Sequence, residues 1–177
     1  MKYKGFVLFL FFVLFCFSFS DWPTNPRENL PICTSPGDQK YPQIVKDGHG
    51  GAIIVWSDSR GANEDIYAQD VSSSGDIQWA YNGVPVCVNP GRQYNFDVAR
   101  YAGGGAIVVW INQDDEHVYA QFLSRFGNLN WRPSGIRTEW TDTKPSVMET
   151  DELDNIMVSF LDNRGWGSWR LHALKLH

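Results

Sequence analysis

Cysteine, helical periodicity and the local signatures of catalysis are what this 177-residue sequence has least of. It holds three cysteines, and Cys16 falls in an apolar leader, so only Cys33 and Cys87 remain beyond it. Downstream of the leader no stretch spaces apolar residues three and four apart, which argues against an α-helical domain. There is no nucleophile elbow, P-loop or paired-carboxylate motif, so catalysis has no positive support from local sequence. His49, His117, His172 and His177 are scattered and suggest neither a zinc set nor a triad. No cofactor or metal is expected. Charge of one sign is also scarce: a net charge of −5 is too mild for a polyanion partner, which sets nucleic acid aside.

What is present begins with a targeting segment. Lys2 and Lys4 precede an apolar run from Phe6 to Phe19, and Ser18 and Ser20 stand at the −3 and −1 positions of a cut before Asp21. This predicts a signal peptide over 1–20 and a secreted or cell-surface protein. As an uncleaved anchor, about 14 apolar residues would span only ~21 Å of helix, short of a hydrocarbon core of ~30 Å. A lipoprotein acylated at Cys16 is the other alternative, although Phe15 is bulky where a lipobox has a small residue. The remainder, 43% hydrophobic and 15% aromatic over the whole chain, suffices for the core of one domain.

Beyond a linker over 21–29, one unit recurs about three times. Gly51-Ala52-Ile53-Ile54-Val55-Trp56 returns as Gly105-Ala106-Ile107-Val108-Val109-Trp110 and, degraded, as Asn155-Ile156-Met157-Val158-Ser159-Phe160, at spacings of 54 and 50 residues. Ile66-Tyr67-Ala68-Gln69 returns as Val118-Tyr119-Ala120-Gln121 and as Leu171-His172-Ala173-Leu174. Gly75 and Trp79 follow Tyr67 as Gly127 and Trp131 follow Tyr119, and Pro31-Ile32-Cys33 matches Pro85-Val86-Cys87. Approximate units are 30–75, 76–127 and 128–177.

Each unit reads as four strands, since short runs rich in Val, Ile, Tyr and Trp alternate with Gly, Asn, Asp and Ser clusters. In the first unit these are Pro42 to Lys46, Gly51 to Ser57, Asp65 to Ser72, and Asp76 to about Val88. The second is apolar at consecutive positions, as in a strand covered on both faces. Four antiparallel strands every ~50 residues are the signature of a β-propeller blade. The predicted fold is all-β, with about three four-stranded antiparallel propeller-type blades. Three are fewer than the 4 to 8 that close a propeller, so the fold reads as an incomplete β-propeller that needs further blades or self-association.

The strand end Trp56-Ser57-Asp58-Ser59-Arg60, the strands Tyr67-Ala68-Gln69 and Tyr119-Ala120-Gln121, and the pairs Gly75/Trp79 and Gly127/Trp131 resemble bacterial secreted β-propeller repeat proteins. Phe160-Leu161-Asp162-Asn163-Arg164 is a looser copy. The middle copy, Trp110-Ile111-Asn112-Gln113-Asp114, lacks the arginine, which weakens any catalytic role for Arg60 or Arg164. Ala68 to Trp79 is also similar to the tryptophan-docking repeat of quinoprotein propellers and, more faintly, to the Asp-box hairpin of sialidases. These resemblances imply blade geometry, not an activity.

Residues at repeat positions are expected to build the scaffold: Trp56, Trp110, Phe160, Tyr67, Tyr119, Gly75, Gly127, Trp79 and Trp131. Trp140, Trp166 and Trp169 break the pattern and are the ligand candidates. Asp58, Asp65, Asp114, Asp115 and Asp162 crowd the loops after the second strands without the alternating ladder of a calcium loop. Turns, or pairing of Asp58 with Arg60 and Asp162 with Arg164, account for them. Cys33 and Cys87 hold one position in successive units, too far apart for a bridge if blades are equivalent, and are read as buried thiols. The leading functional reading is a non-enzymatic extracellular binding scaffold, its ligand a glycan or a protein. The alternative is a sialidase-like glycoside hydrolase, which requires unrepeated Asp, Glu, Tyr and Arg side chains to converge on the propeller axis.

Overall fold

The computed structural model describes residues 22–23, 25, 27–141, 145–146, 156–162 and 170–176, so the expected signal peptide, Arg164, Trp166 and Trp169 lie outside the described residues. Among the described residues every regular element is a strand. The first sheet joins β1 (Gln39–Lys46), β2 (Ala52–Asp58), β3 (Asp65–Val71) and β4 (Val84–Cys87) in chain order. The second repeats this with β5 (Gln93–Arg100), β6 (Gly105–Asn112), β7 (His117–Ser124) and β8 (Ile136–Thr141). A third holds β9 (Pro145–Ser146), β10 (Ile156–Asp162) and β11 (Arg170–Leu176), ordered β11-β10-β9. All pairings are antiparallel, and the register repeats: Val55 faces Ala68 and Trp56 faces Tyr67, as Val109 faces Ala120 and Trp110 faces Tyr119. The sequence divisions at 75/76 and 127/128 fall between the third and fourth strands of the first two sheets.

The sheets meet through their first strands, β1 against β5 and β5 against β9, while β4 and β8 lie at the far edges. The core is therefore the space between sheets. Ile53, Val55, Ile66 and Ala68 of the first sheet pack with Val98, Ala106, Val108 and Trp110 of the second. Ile107, Val109 and Ala120 project from the opposite face of the second sheet onto Val158 and Phe160. Covered on both sides, β6 is buried at every position, which is why it reads as continuously apolar.

Two expected strand limits differ from the structure by more than one residue. The first strand starts at Gln39, not Pro42, because a bulge between Lys40 and Gln43 lets pairing with β2 resume on its far side. The fourth strand, expected from Asp76, is confined to Val84–Cys87, with one isolated bridge between Val71 and Ile77 before it. Between them the chain leaves the ladder to carry Trp79 outward, and the buried Gln69 amide replaces the lost backbone partners. Its Nε2 donates to Ala80 O (2.7 Å), and its Oε1 accepts from Trp79 N (2.9 Å). Gln121 repeats this with Arg132 O at 2.7 Å and Trp131 N at 3.2 Å. Glycine ends each excursion at positive φ, 85° at Gly83 and 76° at Gly135. A Cβ would stand 2.5 Å from the Trp56 ring in the first case and 2.7 Å from the Trp110 ring in the second, so the bare backbone is what admits each indole.

Candidate functional site

The repeated motifs assemble into clamps inside the sheets. Asp58, wholly buried at the end of β2, accepts from Trp56 Nε1 at 2.7 Å, from Arg60 Nε at 2.9 Å and from Arg60 Nη2 at 2.6 Å. Arg60 also donates to Asn82 O (2.8 Å), and its guanidinium lies 3.7 Å from the Tyr67 ring centroid. Burial acts to raise the Asp58 carboxyl, but the hydrogen bonds from Arg60 and Trp56 outweigh it and hold the group below the ordinary carboxylate range. With its Nε and Nη2 committed inside the clamp, Arg60 acts as the ion-pair partner that holds Asp58 in place. The second sheet rebuilds the device from other residues: Asp115 accepts from Tyr119 Oη (2.9 Å) and from Arg137 Nε (3.0 Å), the arginine coming from β8.

Trp140 lies on β8, and its side chain is outside the described residues, as are those of Asp162 and His177. Cys33 and Cys87 are free thiols, and burial pushes Cys87 up to about 11. Among the described residues no cluster of His, Cys, Asp and Glu is arranged to hold a metal ion. His49 caps a turn through its backbone amide on Asp47 Oδ1 (2.7 Å), and His117 lies beside Asp115 and Arg137. Phe160 is buried, and His172 stacks on it at 5.7 Å.

Asp65 and Asp70 are buried with one carboxylate oxygen each lacking a partner. Burial pushes both up to about 6, assisted by the charge of Asp58 at the first and of Asp47 at the second. Each pKa is raised above its unfolded value of about 3.9. The stabilisation from protonation is therefore complete below about pH 4 and is lost as pH rises through about 6. Asp70→Asn is expected to raise stability at about pH 7.5 by on the order of 1 kcal/mol after solvent screening, with the gain fading toward about pH 4. Melting curves across that range test it; a gain independent of pH would refute burial as its source.

The concave feature that sequence reading missed lies where the first two sheets meet. A cleft of about 590 Å³ opens between β1 and β5, lined by Tyr41, Gln43, Glu64, Arg92, Tyr94 and Asp97 among others, a volume suited to a small ligand. Bulges shape both walls. Pairing slips between Lys40 and Gln43 on β1 and between Tyr94 and Asp97 on β5, and the residues inside, Tyr41 and Asn95, take φ of 54° and 49°. A bulky residue held in the left-handed region stores strain of order 1–3 kcal/mol, and such strain concentrates at functional sites. Tyr41 thereby stands 65% exposed at the cleft.

Polar groups in the cleft are pre-positioned. Arg92 Nε pairs with Glu64 Oε2, Tyr94 Oη donates to Glu116 Oε2 (2.6 Å), and Gln43 Nε2 donates to Phe96 O (2.9 Å). Asp97, half-buried, has one oxygen held by Val98 N at 2.9 Å. Repeat-equivalent positions differ here: Lys40 and Tyr94, Tyr41 and Asn95, Gln43 and Asp97. That divergence was the available sequence signal, although Glu64 has a counterpart in Glu116.

No protein-family model matches this sequence, and no curated protein matches it significantly. Among solved structures it is similar to an endo-arabinase from Bacteroides thetaiotaomicron, a propeller-type glycoside hydrolase, with a TM-score of 0.52 and 10% identity. The match covers 78% of this chain but only 57% of that enzyme's length. At this identity the likeness concerns the fold: an all-β, propeller-like arrangement of antiparallel sheets.

Proposed function

We propose that this chain is an exported arc of about three blades from a propeller-type glycoside hydrolase, and that the β1/β5 cleft binds an oligosaccharide. The observation that carries the reading is the convergence of Tyr41, Arg92, Tyr94 and Asp97, all departures from the repeat, on the inner edge where the sheets meet. An exposed tyrosine offers a ring face to a sugar, while paired Arg92 and Glu64 and the Asp97 carboxylate present fixed donors and acceptors to hydroxyls. Hydrolysis of a glycosidic bond needs two carboxyl groups flanking it. Asp97 is the one this reading assigns to the reacting bond, since Glu64 is tied to Arg92. The same tie favours the second reading, a glycan-binding scaffold without turnover.

A glycan array including linear arabino-oligosaccharides, followed by calorimetry on the exported chain, tests binding. Tyr41→Ala is expected to weaken it by about 10- to 100-fold, equivalent to ~1–3 kcal/mol. Phe126→Ala, which removes an exposed ring elsewhere, should leave it unchanged. Release of reducing ends that Asp97→Asn abolishes supports hydrolysis, binding without release supports the scaffold, and failure to bind any glycan rejects both.

A further inference from the structure

We propose that the seam between the first two sheets holds a second pocket, at the rim opposite the β1/β5 cleft, that binds the protonated primary amine of a small molecule between the Asp47 and Asp70 carboxylates. This goes beyond the saccharide reading and does not rest on it. The β1/β5 cleft opens beside Tyr41, near the start of β1, whereas Asp47 directly follows the end of that strand. There a cavity of about 340 Å³ is lined by Asp47, His49, Asp70 and Trp79 from the first sheet and its turns and by Arg125 and Phe126 from the second. A small ligand fits such a volume.

The repeat shows what fills this space when no pocket is kept. Asp47 and Asp70 stand where the second sheet carries Tyr101 and Phe122. Those two rings lie 4.5 Å apart, and Phe122 meets Trp131, the equivalent of Trp79, at 6.2 Å. Together they pack against the cluster that holds Val158 and Phe160 of the third sheet. In the first sheet two carboxylates replace two rings while the tryptophan stays. An aromatic seal has become an acidic cavity with one aromatic wall.

The buried charge has no counter-ion within the chain. Asp47 and Asp70 are each 7% exposed, and Asp70 Oδ1 has no hydrogen-bond partner. Asp47 Oδ1 accepts from the backbone amides of His49 (2.7 Å) and Gly51 (2.9 Å), yet among the described residues neither carboxylate forms an ion pair. Arg125 instead lies over Phe126, its guanidinium carbon 4.5 Å from the ring centroid. A buried carboxylate without a partner is costly, and one that lines a cavity is an acceptor open to a ligand.

An ammonium group answers both deficits, since it brings positive charge and three N–H donors. It also gains from the face of an indole, and Trp79 is fixed as a wall by its Nε1 bond to Arg125 O at 3.1 Å. A neutral hydroxyl would supply a donor but no charge. Calcium asks for about 6–8 oxygen ligands, and among the described residues no cluster of three His, Cys, Asp or Glu side chains is placed to hold a metal ion.

The test is titration of the chain with cadaverine and with glucosamine, followed through the Trp79 indole and His49 amide resonances, with glucose as the neutral counterpart of glucosamine. Saturation by either amine at or below about 1 mM supports the proposal. Tighter cadaverine marks an alkyl amine as the occupant, and tighter glucosamine an amino sugar, with glucose at least ~10-fold weaker than its amine. Asp70→Asn keeps the side-chain volume and removes the charge, so it should weaken the amine at least ~10-fold in a chain that melts no lower than the wild type. Asp70→Phe installs the residue of the second sheet and should abolish binding. Tyr41→Ala, at the opposite rim, should leave it unchanged, which separates this pocket from the saccharide cleft. Absence of saturable binding by both amines, binding that survives Asp70→Asn or is lost in Tyr41→Ala, or calcium chloride that moves the same resonances at lower concentration than either amine overturns the proposal.

Discussion

Replacing Asp58 with alanine is expected to lower the unfolding free energy by about 3–5 kcal/mol, because it breaks a buried ion pair from one side only. The carboxylate is fully buried and is the acceptor for Trp56 Nε1 and for two guanidinium nitrogens of Arg60. Its loss leaves the Arg60 charge, whose side chain is 19% exposed, above the Tyr67 ring without a counter-ion, and leaves the Trp56 N–H without an acceptor. Asp58→Asn keeps the shape and one acceptor but not the charge, so it should fall between. The corresponding Asp115→Ala should cost about 1 kcal/mol or less, since Asp115 is 34% exposed and Arg137 49% exposed. Denaturant titration of the three variants separates these cases, and a near-native Asp58→Ala would show that the clamp contributes little. The pH dependence has a fixed sign. The Asp58 pKa is depressed, so its contribution is present above about pH 3.9 and is lost as acid titrates the folded protein below that value.

The strands of the sheets were legible because the pattern of β-branched and aromatic residues between glycine turns is a local property. Trp56 and Tyr67 recur as Trp110 and Tyr119 for the same reason: each pair faces across the second and third strands of its sheet. The short fourth strand was not legible. Ile77, Trp79 and Tyr81 alternate as a strand would, but the Gln69 amide takes their segment out of the ladder, and a side-chain substitute for backbone bonding leaves no period in the sequence. The cleft was hidden for a related reason. Tyr41 at φ 54° is a non-glycine residue in a glycine conformation, held there by the sheet on either side of a bulge. Trp22 fell in what reads as a linker because it precedes Cys33 by 11 residues, whereas Trp79 precedes Cys87 by 8. Its place is visible only in space, where Nε1 donates to Ser73 O at 2.9 Å and the ring lies against Gly75, as Trp79 does at Arg125 O and Gly127.

Trp110→Ala should be comparably damaging, by about 3–5 kcal/mol, because it empties a fully buried site stacked on Tyr119 at 5.9 Å. The indole occupies a pocket that Gly135 leaves open, so neighbouring side chains cannot readily fill the void. Trp110→Phe separates packing from polarity. The Trp110 N–H has no partner, since the position that carries Asp58 in the first sheet carries Asn112 in the second. The Asn112 amide is turned to the backbone instead, donating to Pro90 O at 3.2 Å and accepting from Asp114 N at 2.8 Å. A buried unsatisfied donor costs about 1–3 kcal/mol, so removing it offsets much of the volume lost to phenylalanine. Trp110→Phe is therefore expected to cost under about 2 kcal/mol. Trp56→Phe should cost more, because there the indole N–H satisfies Asp58. Denaturation of the three variants should rank them Trp110→Ala most damaging, Trp56→Phe next and Trp110→Phe least. If Trp110→Phe proves as costly as Trp110→Ala, ring volume alone governs the site and the unpartnered N–H carries no energetic weight.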